Sequence, residues 1–175
     1  MRILLGLMLV IWAQVAVAQT PAHGLMWRDS PLPAVFPLQV KSAPGTRYYL
    51  SLTEQGSTRP ALAAFIEGGR FFRVLVPPGT YAVALYRGSE WRGERALFGP
   101  KTVRIEVPPL TFATKGLRVK SGHLLDLTAL DTLAQAGPLA FCQTLALVEE
   151  PAPPRLRDWE RPVPPARVRV RQRLC

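Results

Sequence analysis

The side chains that most often carry out chemistry are few in this sequence and stand far apart. Among the 175 residues there are two histidines, His23 and His123, and two cysteines, Cys142 and Cys175. This set is too small for a zinc or iron–sulfur centre with several histidine and cysteine ligands. His123 with Asp126 would suit a small envelope hydrolase, which is the alternative function, but no nucleophile motif accompanies them. We predict a chain that is not an enzyme and has no catalytic residue, metal or cofactor.

Residues 87–100 suggest binding instead, because they combine a tryptophan, a phenylalanine and several arginines. The segment is longer than a tight hairpin turn. An exposed tryptophan beside arginines is typical of a binding hot spot, so Trp91, Arg92 and Arg95 are predicted binding residues. In the alternative interpretation, Trp91 and Phe98 turn inward and cover one end of the domain.

The composition changes after residue 150. Residues 151–175 contain six prolines and seven arginines but only two acidic residues, a net charge of 7 − 2 = +5. In an extended strand, the final alternation would place Val168, Val170 and Leu174 on one face and arginines on the other. This pattern predicts a C-terminal arm that ends in an edge strand. Its predicted binding residues are Arg167, Arg169, Arg171 and Arg173.

Two explanations remain open for the arginines of the arm. Arginine forms bidentate hydrogen bonds with carboxylates and phosphates, so the arm could bind an anionic lipid or glycan surface or an acidic envelope protein. Alternatively, arginine simply fills solvent positions throughout a chain of net charge +10. Nucleic acid would also match the charge, but an exported protein rarely meets it, and we expect no such partner.

Export is predicted by the first eighteen residues. Arg2 is followed by eleven residues without a polar side chain, and Ala16-Val17-Ala18 has the small-x-small pattern of a cleavage site. We predict a signal peptide over residues 1–18, a mature chain that begins at Gln19, and a periplasmic or secreted location. The apolar run is shorter than the about 20 residues that span a bilayer, so no transmembrane span is expected after cleavage. If the segment is retained, the alternative is a membrane-tethered assembly factor.

In an oxidising compartment, an even number of cysteines favours a disulfide. A bridge between Cys142 and Cys175 would close a loop of about 33 residues and stabilise the fold by about 3–4 kcal/mol in the chain-entropy model. Its predicted role is to hold the C-terminus against the domain. An intermolecular bridge or two free thiols are the alternatives.

Short apolar runs separated by Gly/Pro turns predict an all-β sandwich. Thr46–Leu52 and Thr102–Val107 alternate as strands with one wet face. One short helix is predicted from Thr128 to Ala136, before Gly137-Pro138. Leu139–Val148 is predicted as a strand, although its composition would also suit a helix. The other predicted strands are Val35–Val40, Ala61–Ile66, Phe71–Val76, Thr80–Tyr86, Leu110–Val119 and His123–Leu127.

The segment Glu67-Gly68-Gly69-Arg70-Phe71-Phe72-Arg73-Val74-Leu75-Val76-Pro77-Pro78-Gly79-Thr80-Tyr81 resembles the core motif of carboxypeptidase-regulatory-like domains. The resemblance covers about residues 35–90. It implies a prealbumin-like (transthyretin-like) sandwich and carries no chemistry. Independently of the family, Pro78 and Gly79 favour a type II turn, in which Gly79 takes the position with a positive φ.

The combined expectation is an all-β, Ig-like or prealbumin-like sandwich of about seven to nine short strands, with one short helix and an extended C-terminal arm. Its parts are the signal peptide 1–18, an irregular lead-in 19–33, the sandwich 34–150 and the arm 151–175. A hydrophobic content of 48% excludes wholesale disorder. The expected function is an exported, non-enzymatic structural or binding module for an envelope component or partner protein.

Overall fold

The computed structural model describes residues 19–116, 118–129, 133–148 and 167–175. The predicted signal peptide and residues 151–166 of the C-terminal arm lie outside these residues. The described chain is all-β, as predicted, with one short 3-10 turn at Gly99–Lys101. Its strands are β1 (Gly24–Arg28), β2 (Phe36–Ser42), β3 (Arg47–Glu54), β4 (Pro60–Glu67), β5 (Phe72–Val76), β6 (Gly79–Gly88), β7 (Val103–Ile105), β8 (Leu110–Phe112), β9 (Thr114–Lys115), β10 (Val119–Leu127), β11 (Gln135–Val148) and β12 (Arg167–Leu174).

The strands form two sheets that pack as a β-sandwich. Sheet 1 has the order β1-β4-β3-β6-β7, and β8 pairs with the start of β6. Sheet 2 has the order β12-β11-β10-β2-β5, and β9 pairs with the start of β10. The β2–β10 pair is parallel, and every other pair named here is antiparallel. The twelve described strands exceed the predicted seven to nine, because β1 lies in the segment expected to be irregular, the predicted strand Leu110–Val119 divides into β8, β9 and the start of β10, and the arm adds β12.

The core lies between the sheets and follows directly from the alternation of the strands. Every second residue of a central strand faces the opposite sheet, and most of these residues are apolar. Leu50 and Leu85 of sheet 1 and Leu38 of sheet 2 have no exposed surface. Tyr81 and Phe112 meet edge to face with ring centroids 6.0 Å apart. Each such side chain stabilises the fold by about 1.5–3 kcal/mol through burial.

Of the predicted type II turn before β6, the structure bears out the positive φ of Gly79 but not the turn type, because that type needs a φ of about +80° at this position. Gly79 has a φ of +145°, a conformation that residues with a Cβ rarely adopt. A Cβ on this residue would also lie 3.2 Å from the Tyr81 ring. Tyr81 then enters the core, and its hydroxyl donates to the Pro78 carbonyl at 3.4 Å.

The predicted helix at Thr128–Ala136 is wrong where the structure describes it; residues 130–132 lie outside the described residues. Leu133 bridges to Glu106, and β11 already begins at Gln135. Pro138 therefore lies inside a strand, opposite His123. This position tolerates proline because β12 does not reach that half of β11, so the missing N–H faces no neighbouring strand. The strand prediction for Leu139–Val148 is confirmed.

The sequence predicts an irregular segment over residues 19–33, but part of this segment forms a strand. Gly24–Arg28 forms β1, which pairs with β4 and shifts register between Leu25 and Trp27. That irregularity interrupts the alternation from which a strand would be recognised. His23 anchors the entry to this strand, because its Nδ1 accepts a hydrogen bond from the Glu67 backbone N–H at 3.0 Å.

Candidate binding surfaces

The loop between β6 and β7, residues 89–102, covers the side of sheet 1 that points away from sheet 2. Trp91 is only 8% exposed, in contrast to the exposed position expected for a binding residue. Its ring stacks on Tyr49 at 5.5 Å and meets Phe65 and Phe98 edge to face at 5.3 and 5.6 Å. The inward-facing alternative is therefore the one observed, and the Trp91 ring has no free face for a ligand.

Several contacts hold this loop against the sheet. Phe98 packs directly over Gly88, where a Cβ would collide with its ring. The Glu94 carboxylate accepts hydrogen bonds from Trp27 Nε1 at 3.0 Å and from the Tyr49 hydroxyl at 3.0 Å. Burial, followed by the nearby Glu94 carboxylate, raises the pKa of Tyr49 well above its usual value.

This packing corrects the expectation of a wet face on Thr46–Leu52. Tyr49 and Ser51 point away from the main core, yet each is only 7% exposed. Tyr49 is covered by the 89–102 loop, whose Trp91 and Phe98 form a second small core with Tyr49, Ala63 and Phe65.

The two loop arginines remain exposed. Arg92 Nη2 lies 3.4 Å from Glu90 Oε2, and both side chains are more than half exposed. Arg95 projects from the exposed part of the loop. The loop therefore keeps its cations at the surface while its aromatic residues serve packing.

The C-terminal arm ends in a two-stranded ribbon, defined here as Phe141–Val148 of β11 with β12. Since β10 pairs with β11 only as far as Cys142, the ribbon extends beyond the sandwich by about 20 Å. All eight residues of β12 are exposed. The predicted disulfide is confirmed: Cys142 and Cys175 are bonded, with Cα atoms 5.5 Å apart.

The ribbon has two chemically different faces, because directly paired residues share a face. Its arginine face carries the four arginines of β12, opposite Val148, Ala146, Thr144 and Cys142. Its apolar face carries the pairs Val168 with Leu147, Val170 with Leu145 and Leu174 with Phe141. Neither strand of the ribbon contains an acidic residue. The predicted edge strand and its alternation are both confirmed.

The structure does not bring the two halves of the predicted site together. Arg92 and Arg95 lie on the loop that covers sheet 1. The four ribbon arginines lie on the edge strand of sheet 2. They are two separate cationic surfaces.

His123 and Asp126, the residues of the hydrolase alternative, do not form a pair. His123 faces the interior, with its ring 5.0 Å from Phe112 and its Nε2 2.8 Å from the Thr111 carbonyl oxygen. Asp126 faces the other side of β10, where it accepts hydrogen bonds from Thr128 and Lys41. These bonds, those from Thr128 above all, lower the pKa of the Asp126 carboxyl.

A groove of about 550 Å³ lies beside His123, between the β8–β9 segment and the inner side of β11. Most of its lining is apolar and includes Pro109, Ala136 and Pro138. The sequence reasoning missed it, because the groove forms where sheet 1 ends and leaves the inner side of β11 uncovered.

No three histidine, cysteine, aspartate or glutamate side chains within the described ranges are grouped so that they could hold a metal ion. In the same part of the chain, no helix has the length and apolar character needed to cross a bilayer. Comparisons of this chain with family models, with curated proteins and with solved structures gave no match.

Proposed function

We propose that this chain is an exported, non-enzymatic binding module that binds an anionic component of the cell envelope with the arginine face of its ribbon. One observation carries the proposal: β12 presents four arginines on one face of a fully exposed strand, in a ribbon without acidic residues. Arginines two positions apart on a strand are about 7 Å apart. Such a row suits repeated phosphate or carboxylate groups, each bound by a planar guanidinium fork.

Export is part of the same proposal. The apolar segment and cleavage pattern of residues 1–18 are typical of a signal peptide. The Cys142–Cys175 disulfide is of the kind that persists in an oxidising compartment. We assign the sandwich to the carboxypeptidase-regulatory-like, prealbumin-like class. The two packed sheets and the Gly79 corner support this assignment.

The composition of the 89–102 loop suggests that Trp91 binds a ligand, but in this proposal the tryptophan has a structural role. Trp91 serves the packing of the loop on sheet 1. Arg92 and Arg95 form a second, smaller cationic contact, since they lie on the other sheet from the ribbon.

The test is retention of the purified protein on immobilised heparin, a polyanion, in a salt gradient. Replacement of Arg169, Arg171 and Arg173 by glutamine should move elution to clearly lower salt, because three charge-assisted contacts are lost. The matched control replaces Arg28, Arg59 and Lys101, which are exposed residues on or beside sheet 1, and removes the same net charge. This control should elute close to the unaltered protein.

Equal elution of the two triple variants would show that only total charge matters and would overturn the assignment to the ribbon. An Arg92→Gln/Arg95→Gln variant measures the share of the loop, which we expect to be the smaller one. Co-purification of the native protein from the envelope then identifies the anionic component.

A further inference from the structure

Among the described residues, most of the exposed large hydrophobic side chains lie on one face. Ten large hydrophobic side chains of the described residues are exposed, and seven of them lie on the outer face of sheet 2. These seven are Phe71, Leu75, Leu145, Leu147, Val168, Val170 and Leu174. Single exposed hydrophobic residues are normal, but a shared face of this size marks an interaction site.

The strand register establishes that these residues share a face. On β5, Phe72, Val74 and Val76 are in the core, so the residues between and before them point outward. On β10, Leu125 is in the core, so Lys120 points outward together with its partner Phe141.

Arg73 connects the two ends of this face. Its guanidinium carbon lies 5.1 Å from the centre of the Phe71 ring and 5.6 Å from that of Phe141. Arg73 therefore links the apolar residues of β5 to Phe141 of β11, where the apolar face of the ribbon begins. On that face, the pair Gln143 with Gln172 separates Phe141 and Leu174 from the other two apolar pairs. We call this surface, from Phe71 to Val168, the outer face.

The charges of the outer face indicate what covers it. The strand residues that point outward include three cations, Lys41, Arg73 and Lys120, but one acid, Asp126. Lys41 Nζ lies 3.4 Å from that carboxylate. A second copy of this chain would bring cations against cations. An anionic surface that is apolar beneath its charges is complementary to the outer face instead.

We propose that the outer face lies flat on the surface of a bilayer that contains anionic phospholipid. The apolar side chains of the ribbon enter the boundary between headgroups and acyl chains, and Arg73 and Lys120 approach lipid phosphates. The arginine face of the ribbon points to the opposite side of β12 and away from the bilayer. The bilayer contact is thus a second site, beyond the anion-binding site proposed above.

The test is co-sedimentation of the purified protein with vesicles of phosphatidylcholine and phosphatidylglycerol in a 3:1 ratio. A Leu147→Ser/Val168→Ser variant should bind roughly tenfold more weakly, because both partners of an exposed apolar pair are lost. The matched control is Leu25→Ser/Leu32→Ser, which removes two exposed leucines that lie outside the outer face. It should bind like the unaltered protein. Vesicles of phosphatidylcholine alone should bind much less protein.

Absence of vesicle binding, or an equal loss in both double variants, would overturn the bilayer assignment. It would also be overturned by a dimer in sedimentation analysis that only the Leu147/Val168 variant dissociates, since a second copy would then cover the face. Unchanged heparin elution of this variant, together with lost vesicle binding, supports two distinct sites. Heparin retention without any vesicle binding would leave the proposed function standing and remove this inference alone.

Discussion

Trp91 lies at the centre of the small aromatic core between the 89–102 loop and sheet 1, with three rings within 5.6 Å of its own. Its neighbours in the sequence are polar and charged, and these predicted an exposed residue. Its neighbours in space come from β3, β4 and the far end of the loop. A local pattern cannot contain that information, because Phe65 stands 26 positions away.

Replacement of Trp91 by alanine should lower the free energy of unfolding by about 3–5 kcal/mol, because a buried aromatic ring leaves a cavity. Urea denaturation followed by circular dichroism measures this change. Arg92→Ala, the adjacent exposed position, is the control and should change stability by less than about 0.5 kcal/mol. A Trp91 variant as stable as that control would show that the loop does not pack on sheet 1 in solution.

The pH dependence of stability should report the environment of Tyr49. Its folded-state pKa is raised by burial and by Glu94, above the unfolded value of about 10. Tyr49 therefore makes its full contribution to the free energy of unfolding below pH 10. This contribution is lost as the pH rises above 10, because the tyrosine of the unfolded chain ionises at a lower pH than that of the folded protein. Urea midpoints should be constant up to about pH 9, start to fall near pH 10 and continue to fall above it.

Tyr49→Phe should make this alkaline fall shallower, and about 1 kcal/mol should be lost at neutral pH with the hydrogen bond to Glu94. Part of the fall should persist, since burial also raises the pKa of Tyr48 and Tyr81. An unchanged alkaline slope in the variant would contradict the buried position of the Tyr49 hydroxyl.

At the scale of elements, the ribbon differs from the rest of the sandwich because it has no second sheet behind it. β12 pairs only with β11, and none of its residues is buried. The ordered structure of β12 therefore depends on its backbone hydrogen bonds with β11 and on the Cys142–Cys175 disulfide, which lies at the end of the ribbon nearest the sandwich. The alternation of Val168–Leu174 was sufficient to predict a strand with an arginine face, because side chains of a strand alternate whatever surrounds it.

Replacement of both Cys142 and Cys175 by serine should loosen the ribbon and leave the sandwich folded. Hydrogen exchange should show lost amide protection in β12, while the core strands β3 and β4 keep theirs. Reduction of the unaltered protein serves as a second route to the same state. A large, uniform loss of protection in β3 and β4 would contradict this local role, because it would couple the disulfide to the main core.

At the scale of the whole molecule, removal of the proposed signal peptide and formation of the disulfide both change the mass of the mature protein, and removal of the signal peptide also changes its net charge. Loss of residues 1–18 removes Arg2, so the mature chain should carry 10 − 1 = +9. Its intact mass should match residues 19–175 less two hydrogens for the disulfide. Measurement under reducing and non-reducing conditions separates the two contributions. A mass that includes residues 1–18 would favour the membrane-tethered alternative.

The sequence by itself was enough to predict the class of fold, most strand positions, the positive φ of Gly79, the disulfide partners and the arginine face. These features depend on period-two alternation, turn chemistry and a single possible cysteine pair, which are all local or countable. The first residues of β11 were predicted as helix, because Gly137-Pro138 is typical of the end of a helix. The strand β1 was not predicted, because its register shift interrupts the alternation of apolar and polar residues.

Only the tertiary structure decided which faces are covered. Trp91 is buried because the loop closes on sheet 1, and Phe71 comes to share a surface with Phe141 because β2 and β10 lie between their strands. Both outcomes join residues that are far apart in the chain. Burial depends on which sheet faces reach one another in space, and the order of residues along the chain does not specify that.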